Sequence, residues 1–308
     1  IWVHAQLVPE IPVYNEPVAI RRHGSLDVQA LANTLNEIVR RHEAWRTTFA
    51  LANGEPVQVI RPATPVALPQ FDLRHLPASE RESEARRLAA EDATRLFDLS
   101  RGPLFRALLL RIDDADYRLY LTLHHIIFDG YSIYRVLLPE LATLYAAFSS
   151  GEQSTLPELP IQYADFARWE RQWSAQNGHL ASQLKYWRQQ LGDNLPILPL
   201  PFDHPREGIQ SFRGSIQPVA ISQNLAESLK VLSMREGATL FMTLLAAFAV
   251  LLQRYSSLED IPIGTVSSGR KRSELEGMLG YFLNLLVLRN DLSGDPKFCD
   301  LLRRTRNM

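Results

Sequence analysis

The run His124-His125-Ile126-Ile127-Phe128-Asp129-Gly130 places two imidazoles, a carboxylate and a glycine close together. An imidazole can take or hold a proton near neutral pH, a carboxylate can orient a neighbouring cation, and glycine lets backbone approach a substrate closely. Side chains alternate across a strand, so adjacent histidines cannot both enter one cavity unless the strand has already ended. One histidine is therefore expected to be chemical and the other structural. His125 continues the apolar face of Tyr117, Leu119, Leu121 and Leu123, which could open into a buried channel where the strand stops. Asp129 either acts on a substrate or locks its loop by pairing with an arginine, and the lock is the commoner use of a buried carboxylate. The plain alternative is two core histidines bonded to carbonyls and an Asp-Gly turn. Metal chemistry competes, yet the spacing lacks both the i, i+4 histidines of a zinc protease and the His-x-Asp/Glu of a facial triad. Cys299, the single cysteine, has no histidine beside it in sequence and reads as a packed thiol.

Strands and helices must position that run. Residues 117–123 alternate apolar and polar and read as a half-buried strand, paired through the turn Asp113-Asp114-Ala115-Asp116 with a strand at 104–112. Strands are also expected at 16–22 and 56–61, with a helix between them, capped by Asp27 or Ser25 and carrying Val28, Leu31, Leu35, Ile38 and Val39. A charged helix is expected at 79–99, and Ser132 is expected to cap a long helix reaching Phe148. Further on, helices are predicted at 162–176, 182–191 and 225–236, a buried helix from Thr239, and strands at 215–221, 261–266 and 282–290. Prolines in 196–205 exclude a helix and suggest an extended crossing segment, which places a lobe boundary near residue 175. Strands alternating with long helices imply an α/β fold, an α+β sandwich with a mixed sheet, in two units: 1–175 and 176–308.

The composition narrows the partners. Among 308 residues, 33 Lys plus Arg face 34 Asp plus Glu, so no basic field favours a nucleic acid. The longest apolar stretch, 240–252, is too short for a membrane span, and no signal peptide is visible. One cysteine rules out an intramolecular disulfide and fits a cytoplasmic setting. Neither a dinucleotide-binding glycine fingerprint, a phosphate loop nor a Gly-x-Ser-x-Gly elbow is present.

At His124 to Gly130 the sequence resembles the condensation domains of nonribosomal peptide synthetases, which carry a His-His-x-x-x-Asp-Gly signature. Arg41-His42-Glu43-Ala44-Trp45-Arg46-Thr47-Thr48-Phe49 resembles a second block of that family, and Tyr163-Ala164-Asp165-Phe166-Ala167-Arg168-Trp169 a third. Gly280-Tyr281-Phe282-Leu283-Asn284 is similar to a later block, and Ile1-Trp2 with Tyr14-Asn15 to the tail of the first. Departures are Tyr131 where the family usually has Trp, Trp45 for Leu, and Leu283 and Leu285 for Val and Thr.

The resemblance implies two chloramphenicol-acetyltransferase-like lobes in a V around a tunnel, with the second lobe incomplete because the family's last motifs are not found. It implies amide formation: an amine on a downstream carrier protein attacks a thioester on an upstream one, next to an adenylation domain of the same synthase. Both substrates would hang on 4'-phosphopantetheine arms, so the domain itself would need no cofactor and no metal. His125 matches the residue proposed as general base or positioner. Gly130 would let backbone reach the substrate, and a side chain there should clash. Asp129 is expected to pair with an arginine from the second lobe, Arg270 first and Arg46 second, although Arg270 could equally be a solvated charge beside Lys271 and Arg272. Tyr131 and Ser132 would support the loop, and Asn284 would either face the tunnel or pack within its strand. His42 and Glu43 read as structural, and Tyr163, Phe166 and Trp169 as a helical packing face. The alternatives are an epimerization domain, against which the blocks at 41–49 and 163–169 argue, and a docking module without chemistry. A heterocyclization domain would have Asp in place of the histidines.

Overall fold

The computed structural model describes residues 1–308 except 177, 205–211 and 213, and the chain divides into two compact units. The first comprises Ile1–Gln172 together with Ser268–Leu283; the second comprises Trp173–Ser267 and Asn284–Met308. The segment carrying Arg270 and Gly280 thus belongs with the first unit, although it follows most of the second in sequence.

In the first unit the elements are α1 (Trp2–Leu7), β1 (Asn15–His23), α2 (Val28–Arg41), β2 (Thr47–Ala52), β3 (Glu55–Ile60), β4 (Gln70–Asp72), α3 (Ala78–Thr94), β5 (Phe105–Asp113), β6 (Asp116–His124), α4 (Leu138–Ser149) and most of α5 (Tyr163–Ala175). Four strands form a mixed sheet in the order β1-β6-β5-β4, antiparallel except for the β4–β5 pair. Leu109, Leu119, Leu121 and Leu123 meet Leu31, Leu35 and Ile38 of α2 and Leu144 of α4. Leu108, Leu110 and Tyr120 on the opposite face meet Ala85 and Leu88 of α3. The central strand is therefore covered on both sides, where its alternation suggested one. Thr122, on the supposedly polar side, is buried and donates from Oγ1 to Asp92 at 2.6 Å. Asp27 caps α2 as expected, accepting from the Ala30 N–H at 2.9 Å.

α3 stops at Thr94, earlier than expected, because Asn15 Nδ2 captures the Ala93 and Arg95 carbonyls. The hairpin β2–β3 contains a strand, β2, that starts inside the Arg-His-Glu block and that the sequence did not reveal.

In the second unit the elements are α6 (His179–Leu191), α7 (Gln223–Arg235), α8 (Leu240–Ser256), β7 (Asp260–Ser267), β8 (Asn284–Asp291) and α9 (Phe298–Asn307). β7 and β8 pair antiparallel, and Ala246, Ala249, Ile261, Leu301 and Leu302 form the core. The expected strand at 215–221 is absent: Ile216 and Val219 are exposed and no ladder partner lies beside them among the described residues. Apolar alternation without a neighbouring edge does not make a strand. Nor is α8 buried all round, since Phe241, Phe248 and Tyr255 are about half exposed on one face. The end of the proline-rich segment, Pro205, lies outside the described residues. Among those described, no single helix is long and apolar enough to cross a membrane.

Candidate active site

β6 ends at His124, whose N–H donates to the Leu104 carbonyl, and the next N–H, of His125, donates to Tyr14. This break sends the two imidazoles into different surroundings. His124 is buried, tilted against Tyr14 and edge-on to Phe97. Burial, with His125 beside it, pushes His124 down to about 4, so it stays neutral and structural. An unfolded imidazole titrates near 6.5, and between about 4 and 6.5 the unfolded chain binds a proton that the native chain refuses. Stability therefore falls as pH drops through that window, by up to ~1.4 kcal/mol per pH unit. Urea midpoints measured at several pH values for the parent and His124→Leu should show a steeper acid loss in the parent; parallel slopes would contradict it.

His125 is only partly buried and stacks on Phe128, centroids 4.8 Å apart, with Tyr281 edge-on at 5.6 Å. Its Nδ1 lies 3.0 Å from the Phe128 carbonyl. A carbonyl can only accept, so Nδ1 carries a hydrogen, and in a neutral ring the lone pair then falls on Nε2. The ring also lines a cavity of about 310 Å³ with Phe128, Gly130, Ile133 and Tyr134. That arrangement is a fixed acceptor next to open space.

Asp129 is the cap of the following helix, which begins at Gly130 and winds wider over Ser132–Leu137 before α4. Its Oδ1 accepts from the Ser132 N–H and hydroxyl, both at 2.8 Å, and from Arg270 Nη2 at 3.2 Å; Oδ2 accepts from the Phe282 N–H at 3.0 Å. Both partners of the ion pair are buried, Arg270 at 1% and Asp129 at 0% exposure. Arg270 also donates to the Leu275 and Met278 carbonyls and to Ser132 Oγ, and its guanidinium lies 3.9 Å from the Phe282 ring centre and 4.7 Å from that of Tyr131. Burial pulls the Arg270 guanidinium below its ordinary range while Asp129 opposes the change. Asp129 is thus the lock, and its partner comes from the Ser268–Leu283 segment of the same unit, not from the second.

Ser132 is not the cap. Its hydroxyl sits between Asp129 and Gly280, within 2.9 Å of the Gly280 carbonyl and accepting from the Gly280 N–H at 3.2 Å. Gly130 also departs from expectation: a Cβ there meets nothing within 4 Å, because the residue faces the cavity rather than packed chain. As the first helical residue, it has an N–H without an intrahelical carbonyl to receive it. Arg46 is engaged elsewhere, with Glu43 and the Arg61 carbonyl. Asn284 opens β8 in the second unit, exposed and in register with Ser267.

Three supports lie beside the site; the sequence reading took His42 and Tyr163 as structural but did not give their partners. His42 Nε2 donates to Glu140 at 2.9 Å, Arg41 reaches the same carboxylate at 3.1 Å, and His42 Nδ1 accepts from the Leu279 N–H at 3.3 Å. Burial would raise the Glu140 carboxyl, yet His42 and Arg41 hold it below its ordinary value. Tyr163 donates from its hydroxyl to the Tyr281 carbonyl at 2.7 Å. Gly280 is the third: a Cβ there would lie 2.2 Å from a Tyr163 ring carbon and 2.8 Å from the Phe282 ring. Gly280→Ala is expected to cost on the order of 1–3 kcal/mol, read as a lowered melting temperature, with partial recovery in Gly280→Ala/Tyr163→Leu. The histidine of the Arg-His-Glu block was visible in sequence, but nothing there pointed to Glu140.

Among the described residues no group of three or more His, Cys, Asp or Glu side chains could hold a metal ion. The Condensation domain family model matches residues 1–308. The chain belongs to that family. The condensation domain is 47% identical over 306 residues to a linear gramicidin synthase of Brevibacillus parabrevis, covering 99% of this chain but 4% of the relative. It spans a small fraction of such relatives' length. Among solved structures it is similar to the X-domain from teicoplanin biosynthesis, with 31% identity, a TM-score of 0.87, and coverage of 99% and 67% of the two chains. The first condensation domain of the calcium-dependent antibiotic synthetase, 22% identical with a TM-score of 0.82 and coverage of 99% and 71%, shares the mixed α/β fold.

Proposed function

We propose that this condensation domain forms an amide bond between two carrier-bound substrates in the cytoplasm. The downstream aminoacyl amine attacks the upstream acyl thioester; the C–N bond forms, the C–S bond breaks, and the phosphopantetheine thiolate leaves. The observation that carries the reading is His125, held through Nδ1 in the wall of an open cavity. Nε2 accepts from the attacking amine, aligns its lone pair, and passes the proton released from nitrogen towards the departing sulfur. The Gly130 N–H, without a partner inside its helix, is available to the carbonyl oxygen as it gains charge. Asp129, Ser132 and Arg270 do not act on the substrate but fix the loop that carries these groups.

The upstream and downstream carrier proteins are the partners under this reading, with an adenylation domain beside them. The test is mass spectrometry of both intact carriers after mixing them loaded. Transfer of the upstream acyl group onto the downstream carrier supports amide formation. Exchange of an α-hydrogen on a single loaded carrier, without transfer, would replace it with epimerization. The X-domain from teicoplanin biosynthesis has been solved in complex with OxyB, and likeness to it favours a second reading, a docking module, which predicts partner binding and neither product.

A further inference from the structure

A second cavity in the first unit, about 590 Å³, lies away from the His125 loop, between the β2–β3 hairpin, the 62–69 segment and the start of β5. Its volume falls in the range of small-molecule pockets. Val39, Trp45, Val66 and Phe105 give it apolar walls, and the Trp45 and Phe105 rings lie 4.8 Å apart. Its charge is one-sided: arginines 46, 61, 95, 101 and 106 line it, and no aspartate or glutamate does. Glu43, Asp92 and Asp98 pair with four of the five. Arg61 bonds Thr48 Oγ1 through Nε and has no carboxylate partner among the described residues.

Two unmet donors belong to residues that line the same space. The Trp45 side chain is fully buried and its indole N–H has no acceptor, and Arg46 Nε–H is likewise buried without one. Unpaired buried donors are uncommon and mark places where an acceptor is expected. Both residues line this cavity. Trp45 stands where the resemblance puts a leucine, so the indole donor belongs to this chain's own sequence.

We propose that this cavity binds an amphipathic organic acid, with its apolar body against Trp45 and Phe105 and its anionic head accepting from Trp45, Arg46 and Arg61. An uncharged chain would leave Arg61 without a counter-charge, and a small inorganic anion would leave the apolar walls unfilled. Neither half of the lining suffices alone.

Isothermal titration of the intact protein with decanoate, decanol and inorganic phosphate tests this. Decanoate should bind at one site, at least tenfold tighter than either of the others. Arg61 is exposed and Arg61→Gln leaves the fold intact, so decanoate affinity should fall about tenfold; Trp45→Phe, which keeps the ring and removes the donor, should lower it severalfold. Equal melting temperatures for parent and Arg61→Gln confirm that the loss is local. Decanoate affinity unchanged in both variants, absence of decanoate binding, or phosphate binding as tightly as decanoate would each overturn the proposal.

Discussion

His125→Ala should lower the rate of amide transfer between loaded carriers by about 10²–10⁴-fold while leaving the melting temperature within a few degrees of the parent. The ring is only partly buried and holds a single side-chain hydrogen bond, so little of the fold depends on it. The choice between proton acceptor and positioner follows from magnitudes. An α-amine with pKa about 8 is roughly a tenth neutral at pH 7, so deprotonation beforehand costs only about 1.4 kcal/mol. Orientation of two reactants can be worth several times that. His125→Gln separates the two, because an amide oxygen can accept a hydrogen bond near the place of Nε2 but is a far weaker base. Transfer in His125→Gln well above His125→Ala indicates positioning, and equal loss in both indicates that proton transfer dominates. A His125→Ala rate within threefold of the parent would remove the residue from the reaction.

The site was legible from sequence where local rules operate. Alternation along β6, ended by a turn, assigned different fates to His124 and His125, and the structure separates them as expected. Pairing of Asp129 with Arg270 was also expected, but spatial origin was not: residues 141 positions apart meet because Ser268–Leu283 packs into the first unit. Nothing in local periodicity encodes such a return of the chain. Gly130 and Gly280 show the same limit from opposite sides. The glycine in the signature stands in open space, whereas the one in the later block is pinned between Tyr163 and Phe282. Which glycine is sterically required depends on neighbours more than a hundred residues away. Fold-level errors have a similar source, since whether α8 is covered on every side, or 215–221 finds a strand partner, is decided by chain the local sequence does not contain.

Removing either half of the Asp129–Arg270 pair should be the most damaging change to stability. Asp129→Ala leaves the buried Arg270 guanidinium without a counter-charge, along with the Phe282 and Ser132 N–H groups it served. Stranding one partner of a buried ion pair costs about 3–5 kcal/mol, a melting-temperature loss on the order of 10 °C in a chain of this size. Arg270→Met strands Asp129 instead, though methionine still packs against Phe282 and Tyr131 and the carboxylate keeps its bonds to Ser132 and Phe282. Its cost should be smaller, about 2–4 kcal/mol. The double variant Asp129→Ala/Arg270→Met removes both charges, so its loss should fall well short of the sum of the singles, by at least ~1 kcal/mol. Denaturant unfolding of the four proteins measures this coupling, and strict additivity would mean the two charges do not sense each other. Transfer assays on the same variants, run well below their melting temperatures, complete the distinction. A lock leaves the rate per folded molecule far closer to the parent than His125→Ala does, because under the proposed function Asp129 only fixes the start of the helix at Gly130.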